Sequence, residues 1–300
     1  MSATVIQNSL QGRRVFSVPT ISTAKKFIRK MRGGSQAILI QCDDEEYVVV
    51  KMLGSPQGAN ILANEIIGGV IANEAGLPVV PGGCVYLSDD FIDKNPSLWF
   101  ETPLGRRRPN AGLHFGSAFL GEMAGPNRPT DFISRSRVSA IRNRSDFLGM
   151  YVMDIWANHQ DHRQAIFRTS DDGRGLDACF IDHGHMFGGP NWNFTEYSGV
   201  TYHLEPSLYS GLFQPAAVAD WISHYEDVLP KALAYAVSLV PSKWYKGNID
   251  LLEQELLCRL ARLQQLIEAD TTAAWRFTQR STANDQLLPH FGIHHLGATE

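Results

Sequence analysis

The chain has 300 residues, 44% of them apolar, a formal net charge of −4 and a pI near 6.2. That much apolar material supplies a sizeable core and excludes large-scale disorder, and the slightly acidic balance excludes a dedicated nucleic-acid binder, whose footprint is basic. Four well-separated cysteines, Cys42, Cys84, Cys179 and Cys258, form no C-x-x-C pair; they exclude a disulfide scaffold or zinc ribbon and fit a reducing, cytoplasmic setting.

Met1–Thr20 carries no continuous apolar stretch of the signal-peptide kind, and no run reaches the ~18 apolar residues of a membrane span. The expectation is a soluble intracellular protein. Residues 24–32 (AKKFIRKMR) read as a basic segment leading into Gly33-Gly34-Ser35. Ala37–Cys42 and Tyr47–Met52 are apolar and β-branched around the acidic turn DDEE, which predicts an antiparallel hairpin. Gln57–Glu74 places Ile61, Ile66, Ile67, Val70 and Ile71 close to helical spacing and stops at Gly76-Leu77-Pro78. Val79–Leu87 reads as a further strand.

Ser88–Pro129 is rich in Pro, Gly and Arg and has no clear period; it reads as a long connection with one short strand near His114–Phe119. It sets the expected boundary between a small unit, Met1–Leu87, and a larger one, Ser88–Glu300. Beyond it the patterning predicts helices over Asp131–Arg142 and Asp146–Asn158. Short strands at Ala165–Arg168 and Ala178–Ile181 follow, joined at Asp171-Asp172-Gly173. Helices near Pro215–Tyr225, Val228–Leu239 and Ile249–Ala269 come next, and Thr278–Glu300 reads as a polar, flexible end. The fold class expected is α+β, a small antiparallel β-rich lobe before a larger, mainly helical one.

Two pairs of residues carry the chemistry. Lys51 ends a strongly apolar strand, where a cation needs a partner or a route to water, and Glu65 lies in the following helix. A strand lysine steadied by a helix glutamate is how a kinase fold aims a cation at nucleotide phosphates. Gly33, Gly34 and Ser35 could bring backbone N–H groups close to the same phosphates. Asp161 follows a helix and precedes a strand, the place from which a carboxylate orients or deprotonates an acceptor hydroxyl. Asp182 ends the next strand before His183-Gly184, the place from which a carboxylate binds Mg²⁺. Taken singly, each aspartate reads as readily as turn chemistry.

The order GGSQ, YVVVK, NE, GLP, DIWANHQDHRQAIF and FIDHGHMFG resembles the HipA-like kinase family, particularly its short bacterial branch. The likeness spans roughly Lys26–Gly189, with a looser echo around VPSKWYKGNIDLLEQEL. It implies a two-lobed protein-kinase-like fold binding ATP and Mg²⁺ in the cleft, and phosphotransfer, with a protein Ser/Thr hydroxyl as the implied acceptor. Position by position it implies Lys51 as the phosphate-binding lysine, Glu65 as its partner, Asp161 as the catalytic aspartate and Asp182 as the metal ligand. The chain departs from the pattern where a kinase carries a second metal ligand, an Asn five residues after the catalytic Asp: that position is Ile166. Gln164 is the nearby amide that could take its place. This departure keeps a nucleotide-binding pseudokinase open as an alternative.

One other reading competes: His159, His162, His183 and His185 with Asp161 and Asp182 suggest a metal-dependent phosphohydrolase. As an addition to the kinase reading, the basic run Arg106–Arg108 with the aromatic segment Trp192–Tyr202 suggests a surface for a protein partner. Neither nucleic-acid nor membrane binding is expected.

Overall fold

The computed structural model describes residues 21–121, 128–195 and 202–270. Its N-terminal part is a closed five-stranded barrel of order β1-β2-β3-β7-β4: β1 (Ser22–Lys30), β2 (Ile38–Cys42), β3 (Tyr47–Lys51), β4 (Gly82–Leu87) and β7 (Gly112–Ala118). The expected hairpin is present, with β2 and β3 paired antiparallel from Gln41↔Tyr47 to Ile38↔Val50. Closure comes from β1, which pairs antiparallel with β2 and, through Ser22↔Val85 and Thr23↔Tyr86, parallel with β4. The basic segment is thus a strand. Register shifts between Ala24 and Lys26 and between Phe27 and Arg29 break its period of two, and Ala24 and Phe27, which pack on the barrel core, are three positions apart in consequence.

The sheet does not end at Leu87. β7, which the sequence marks only as a short strand in a connection, pairs with both β3 and β4 and sits between them. Before it, a short helix α2 (Asp89–Lys94) and the hairpin β5 (Phe100–Thr102) and β6 (Gly105–Arg107) cover the barrel. There Ile38, Ile40, Val50, Val85, Ile92 and Phe100 form a core of their own.

Between β3 and β4 runs α1 (Ile61–Glu74), buried at every position from Ile61 to Ala72. Burial on every face follows from its place: α1 lies between the barrel and the long helix α4 (Pro215–Ser238), and its buried polar residues Asn64 and Glu65 need partners there. The remainder is mainly helical: α3 (Asp146–Trp156), α4 and α5 (Ile249–Leu260), with one antiparallel pair, β8 (Gln164–Thr169) and β9 (Leu176–Ile181). Two helical expectations change. Over 131–142 only a 3₁₀ turn forms, Arg135–Ala140. The two helices expected over 215–239 are one, continuous through Pro230; Pro230 and Glu226 both face solvent, so the carbonyl left without an N–H partner can turn to water. The C-terminal segment Thr278–Glu300 lies outside the described residues.

The basic run is committed within the chain. Arg106 bonds the Pro96 carbonyl and pairs with Glu101. Arg107 bonds the Gly54 carbonyl and lies over the Phe100 ring. Arg108 pairs with Asp89 at 2.8 Å and Asp93 at 2.6 Å. Trp192 is also used internally, donating its indole N–H to Asn64 and stacking on Tyr245. The charges of Arg106–Arg108 and the ring of Trp192 are thus engaged within the fold, and residues 196–201 of the aromatic segment lie outside the described residues.

Candidate active site

A cavity of about 200 Å³ opens between the barrel and the β8–β9 pair, lined on one side by Ala37, Val49 and Ser117 and on the other by Ile166, Phe180 and Asp182. Lys51, the last residue of β3, reaches into it from the barrel. Its ammonium bonds Glu65 of α1 and, at 2.7 Å, Asp182 Oδ1. Three elements far apart in sequence thus meet on one cation.

Glu65 is 2% exposed, and burial raises its pKa against the pull of Lys51. For Lys51, burial opposes the charged form, but the charges of Glu65 and Asp182 outweigh it and the pKa lies above the usual lysine value. Burial likewise acts against the Asp182 carboxylate, yet the charge and hydrogen bond of Lys51 hold its pKa below the usual range. Lys51 and Asp182 therefore favour their charged forms, whereas burial biases Glu65 toward its neutral form and the charge of Lys51 opposes that bias.

Asp182 directly follows β9 with φ +61°, a left-handed conformation that a side-chain-bearing residue adopts at some cost. Its second oxygen, Oδ2, accepts from Gln164 Nε2 at 2.8 Å. The register explains the pairing: Gln164, the first residue of β8, stands opposite Ile181, while Ile166 stands opposite Cys179. Alternate strand residues share a face, so Gln164 and Ile166 both face the cavity, but Ile166 lies two positions further from Asp182. Only two residues separate Asp161 from β8, so the amide at the strand's start is the group brought to the carboxylate. Ile166 is an apolar wall.

Asp161 is half-buried in the bend before β8; its Oδ1 accepts from the His162 N–H at 2.7 Å. Among the described residues it is not one of those lining the cavity. Of the glycine-rich turn, Ser35 lines the cavity; Gly33, at φ +111°, and Gly34 are exposed beside it.

Two buried groups that sequence reasoning did not single out organise these loops. Arg163, 1% exposed, forms a bidentate pair with Asp154 of α3 and donates to the carbonyls of Ile181, at 2.9 Å, and Asp182, at 3.3 Å. Burial acts against the Asp154 carboxylate, but the Arg163 charge brings its pKa down to about 2. Asn64 of α1, fully buried, faces the segment after Asp182. The available signal for Asn64 was its place in a strongly apolar helix, where burial obliges a polar group to have a partner; Arg163, between His162 and Gln164, offered none.

The histidines do not form a metal centre. Among the described residues no group of three or more His, Cys, Asp or Glu is placed to hold a metal ion. His159 and His183 are buried against the Arg163 guanidinium, and burial, aided by that positive charge, lowers both pKa values. A fixed cation amid the cluster repels a second one, which corrects the phosphohydrolase reading. His162 is turned outward, its Nδ1 3.2 Å from the Tyr202 carbonyl.

No protein-family model matches the chain, and no curated protein sequence matches it. Among solved structures, the Helicobacter pylori proinflammatory kinase CtkA is similar at a TM-score of 0.53 with 13% sequence identity, covering 84% of this chain and 98% of that one. The Golgi casein kinase (TM-score 0.49, 14% identity, 85% of this chain and 75% of that one) and the Shewanella oneidensis HipA–HipB–operator DNA complex (0.44, 11%, 88% and 69%) are looser likenesses that add nothing to the assignment. At such identity the similarity concerns the fold alone: it is a protein-kinase-like α+β fold, a barrel with one helix before a mainly helical region.

Proposed function

We propose that the protein is an ATP- and Mg²⁺-dependent phosphotransferase of the HipA-like kind. The observation that carries this reading is the meeting of Lys51, Glu65 and Asp182 in the cleft of a kinase-like fold. An ammonium has three N–H donors; Glu65 and Asp182 take two, leaving one for a phosphate oxygen. Glu65 removes rotamer freedom from the lysine, and the apolar wall of Val49, Ile166 and Phe180 suits a nucleobase.

The site also suits a hard cation. One cation facing two carboxylates leaves this end of the cleft formally negative, so a bare triphosphate is repelled and a metal-bound one is not. Asp182 offers a carboxylate oxygen, and Gln164, by a half-turn of its amide, an oxygen beside it. One carboxylate and one amide match Mg²⁺, which keeps several waters and leans on substrate phosphates. When bound, Mg²⁺ would neutralise charge on the phosphates during transfer.

Within the chain, Asp161 is assigned the acceptor hydroxyl, which it orients and whose proton it takes. Arg163 holds the backbone of Ile181 and Asp182 while its charge is spent on Asp154. A protein Ser/Thr hydroxyl as the acceptor rests on the family resemblance. One observation favours the second reading, a pseudokinase: Asp161 is bonded within its own bend and stands apart from the cavity lining.

The experiment is a thermal-shift titration with ATP and Mg²⁺ beside Asp182→Ala. A ligand bound only by the folded state at a hundredfold excess over Kd adds about 2.7 kcal/mol. A Mg²⁺-dependent shift that Asp182→Ala removes is expected; no shift with ATP at any Mg²⁺ concentration refutes the reading.

A further inference from the structure

The segment after Asp182 is fastened to α1 along one face of that helix. Asn64 Nδ2 lies within hydrogen-bond reach of three carbonyls, Gly184 at 2.8 Å, Met186 at 2.9 Å and Gly189 at 3.2 Å, and Oδ1 accepts from Trp192 Nε1 at 2.8 Å. Two amide hydrogens serve three acceptors, so one is shared. Asn64 has no exposed surface, and Gly184, Met186 and Gly189 are buried.

The neighbouring residues repeat the attachment. Glu65 Oε2 accepts from the His183 N–H at 3.2 Å, and the Asn60 N–H donates to the Pro190 carbonyl at 3.2 Å. One turn beyond Asn64, Gly68 permits the close approach: a Cβ there would lie 2.7 Å from both His183 Cβ and Met186 Sδ. The same segment reaches the loop that bears Asp161, through Gln160 N–H to the His185 carbonyl at 3.0 Å and Phe187 N–H to the Ala157 carbonyl at 2.7 Å. Withdrawing α1 would take the Asn64 donor from three buried carbonyls, leaving those of Met186 and Gly189 only the turn bonds from the Gly189 and Trp192 N–H groups, and would take the acceptor from the Trp192 indole N–H; buried polar groups left unpaired are costly.

We propose that Asn64 is a positioning residue: by holding α1 against residues 183–189 it fixes Glu65 and Asp182 around Lys51. The inference rests on the nucleotide-binding reading above for its functional half. Asn64 touches neither phosphate nor metal in this scheme; it acts through the placement of Glu65 and Asp182.

The test compares wild type, Asn64→Ala and the milder Asn64→Ser with Ile92→Ala, a core truncation in the barrel's separate core. Amide exchange is followed in the ligand-free protein, and Kd values for Mg·ATP and for adenosine are measured by calorimetry. Expected are exchange at 183–189 at least tenfold faster in the Asn64 variants and Mg·ATP binding at least tenfold weaker. Adenosine binding, which needs no metal or lysine, changes less than threefold, and Ile92→Ala alters neither the segment nor the affinity ratio. If Asn64→Ala does not fold, Asn64→Ser decides. Unchanged exchange at 183–189 in Asn64→Ser overturns the positioning role, whatever the ligand results. Wild-type protein that binds no Mg·ATP overturns the nucleotide reading and the functional half, while the exchange data still judge the attachment.

Discussion

Gln164 donates its side-chain amide to Asp182 at 2.8 Å, across the first rung of the β8–β9 pair. The position five residues after Asp161, Ile166, stands two positions further along the strand, about 7 Å on at 3.4 Å per residue. The amide next to the candidate metal ligand is therefore Gln164. Gln164→Ala is expected to raise the Mg²⁺ concentration needed for half-maximal ATP binding about tenfold, while Ile166→Asn restores no metal affinity to that variant. A Mg²⁺ titration of both decides it; a normal Mg²⁺ requirement in Gln164→Ala removes the residue from the site.

Removing Lys51 leaves two carboxylates facing each other without their cation. Lys51→Met is expected to weaken Mg·ATP at least tenfold and to destabilise the fold by about 3 kcal/mol at neutral pH, the usual scale for breaking a buried pair. The sign with pH follows from Glu65, whose pKa burial already raises. Without Lys51 it rises further, so acid neutralises the orphaned carboxylate and the penalty shrinks. Denaturant unfolding of both proteins at pH 8 and pH 5 checks this; a penalty independent of pH contradicts it.

Asp161→Asn separates the two enzymatic readings. A catalytic aspartate gives a variant that binds Mg·ATP within about twofold of wild type and transfers phosphate at least a hundredfold more slowly, in line with the value of a positioned general base. Transfer at the wild-type rate would exclude Asp161 as the base, and a wild type that binds nucleotide without transfer would favour the pseudokinase.

Arg163 and Asp154 form a pair 1% exposed on each side. Arg163→Met is expected to cost about 3–5 kcal/mol, because a buried carboxylate is left uncompensated and two carbonyls at the end of β9 lose their donor. Asp154→Asn in the same background should recover part of the loss. Equilibrium unfolding of the single and double variants measures the coupling, and strictly additive losses would show that the two groups do not act as a pair.

Buried neutral histidines make stability depend on pH. Burial lowers His114 and His203 to about 4 from an ordinary 6.5. Their folded forms resist protonation, so below pH 6.5 the unfolded chain binds more protons and stability falls as pH drops. The loss runs from about pH 6.5 to pH 4, with a slope of up to about 1.4 kcal/mol per pH unit for each group. His114→Gln should flatten the curve in that window. A variant with the wild-type slope would show that His114 is not among the groups responsible.

The elements that local pattern controls were legible from the residues. The β2–β3 hairpin, α1, α3 and the β8–β9 pair follow from β-branched runs, turn chemistry and apolar spacing; Lys51 stood out because a charge ending a strongly apolar strand must find a partner, whereas Glu65 and Asp182 were candidates only through the kinase-like order in which they follow it. Tertiary structure decided the rest, because those features depend on residues distant in sequence. β1 is a strand only because β2 and β4 pair with it, and its bulges erase the alternation that would announce it. β7 enters the barrel by pairing with strands on both sides. Arg163 and Asn64 carry no local signature of their roles: each bonds backbone carbonyls, which every residue possesses, and only the packing of α1, α3 and the end of β9 selects which carbonyls those are. Register likewise chose Gln164 over Ile166, because in a sheet the neighbour across the rung, not the count along the chain, sets which side chain meets a carboxylate.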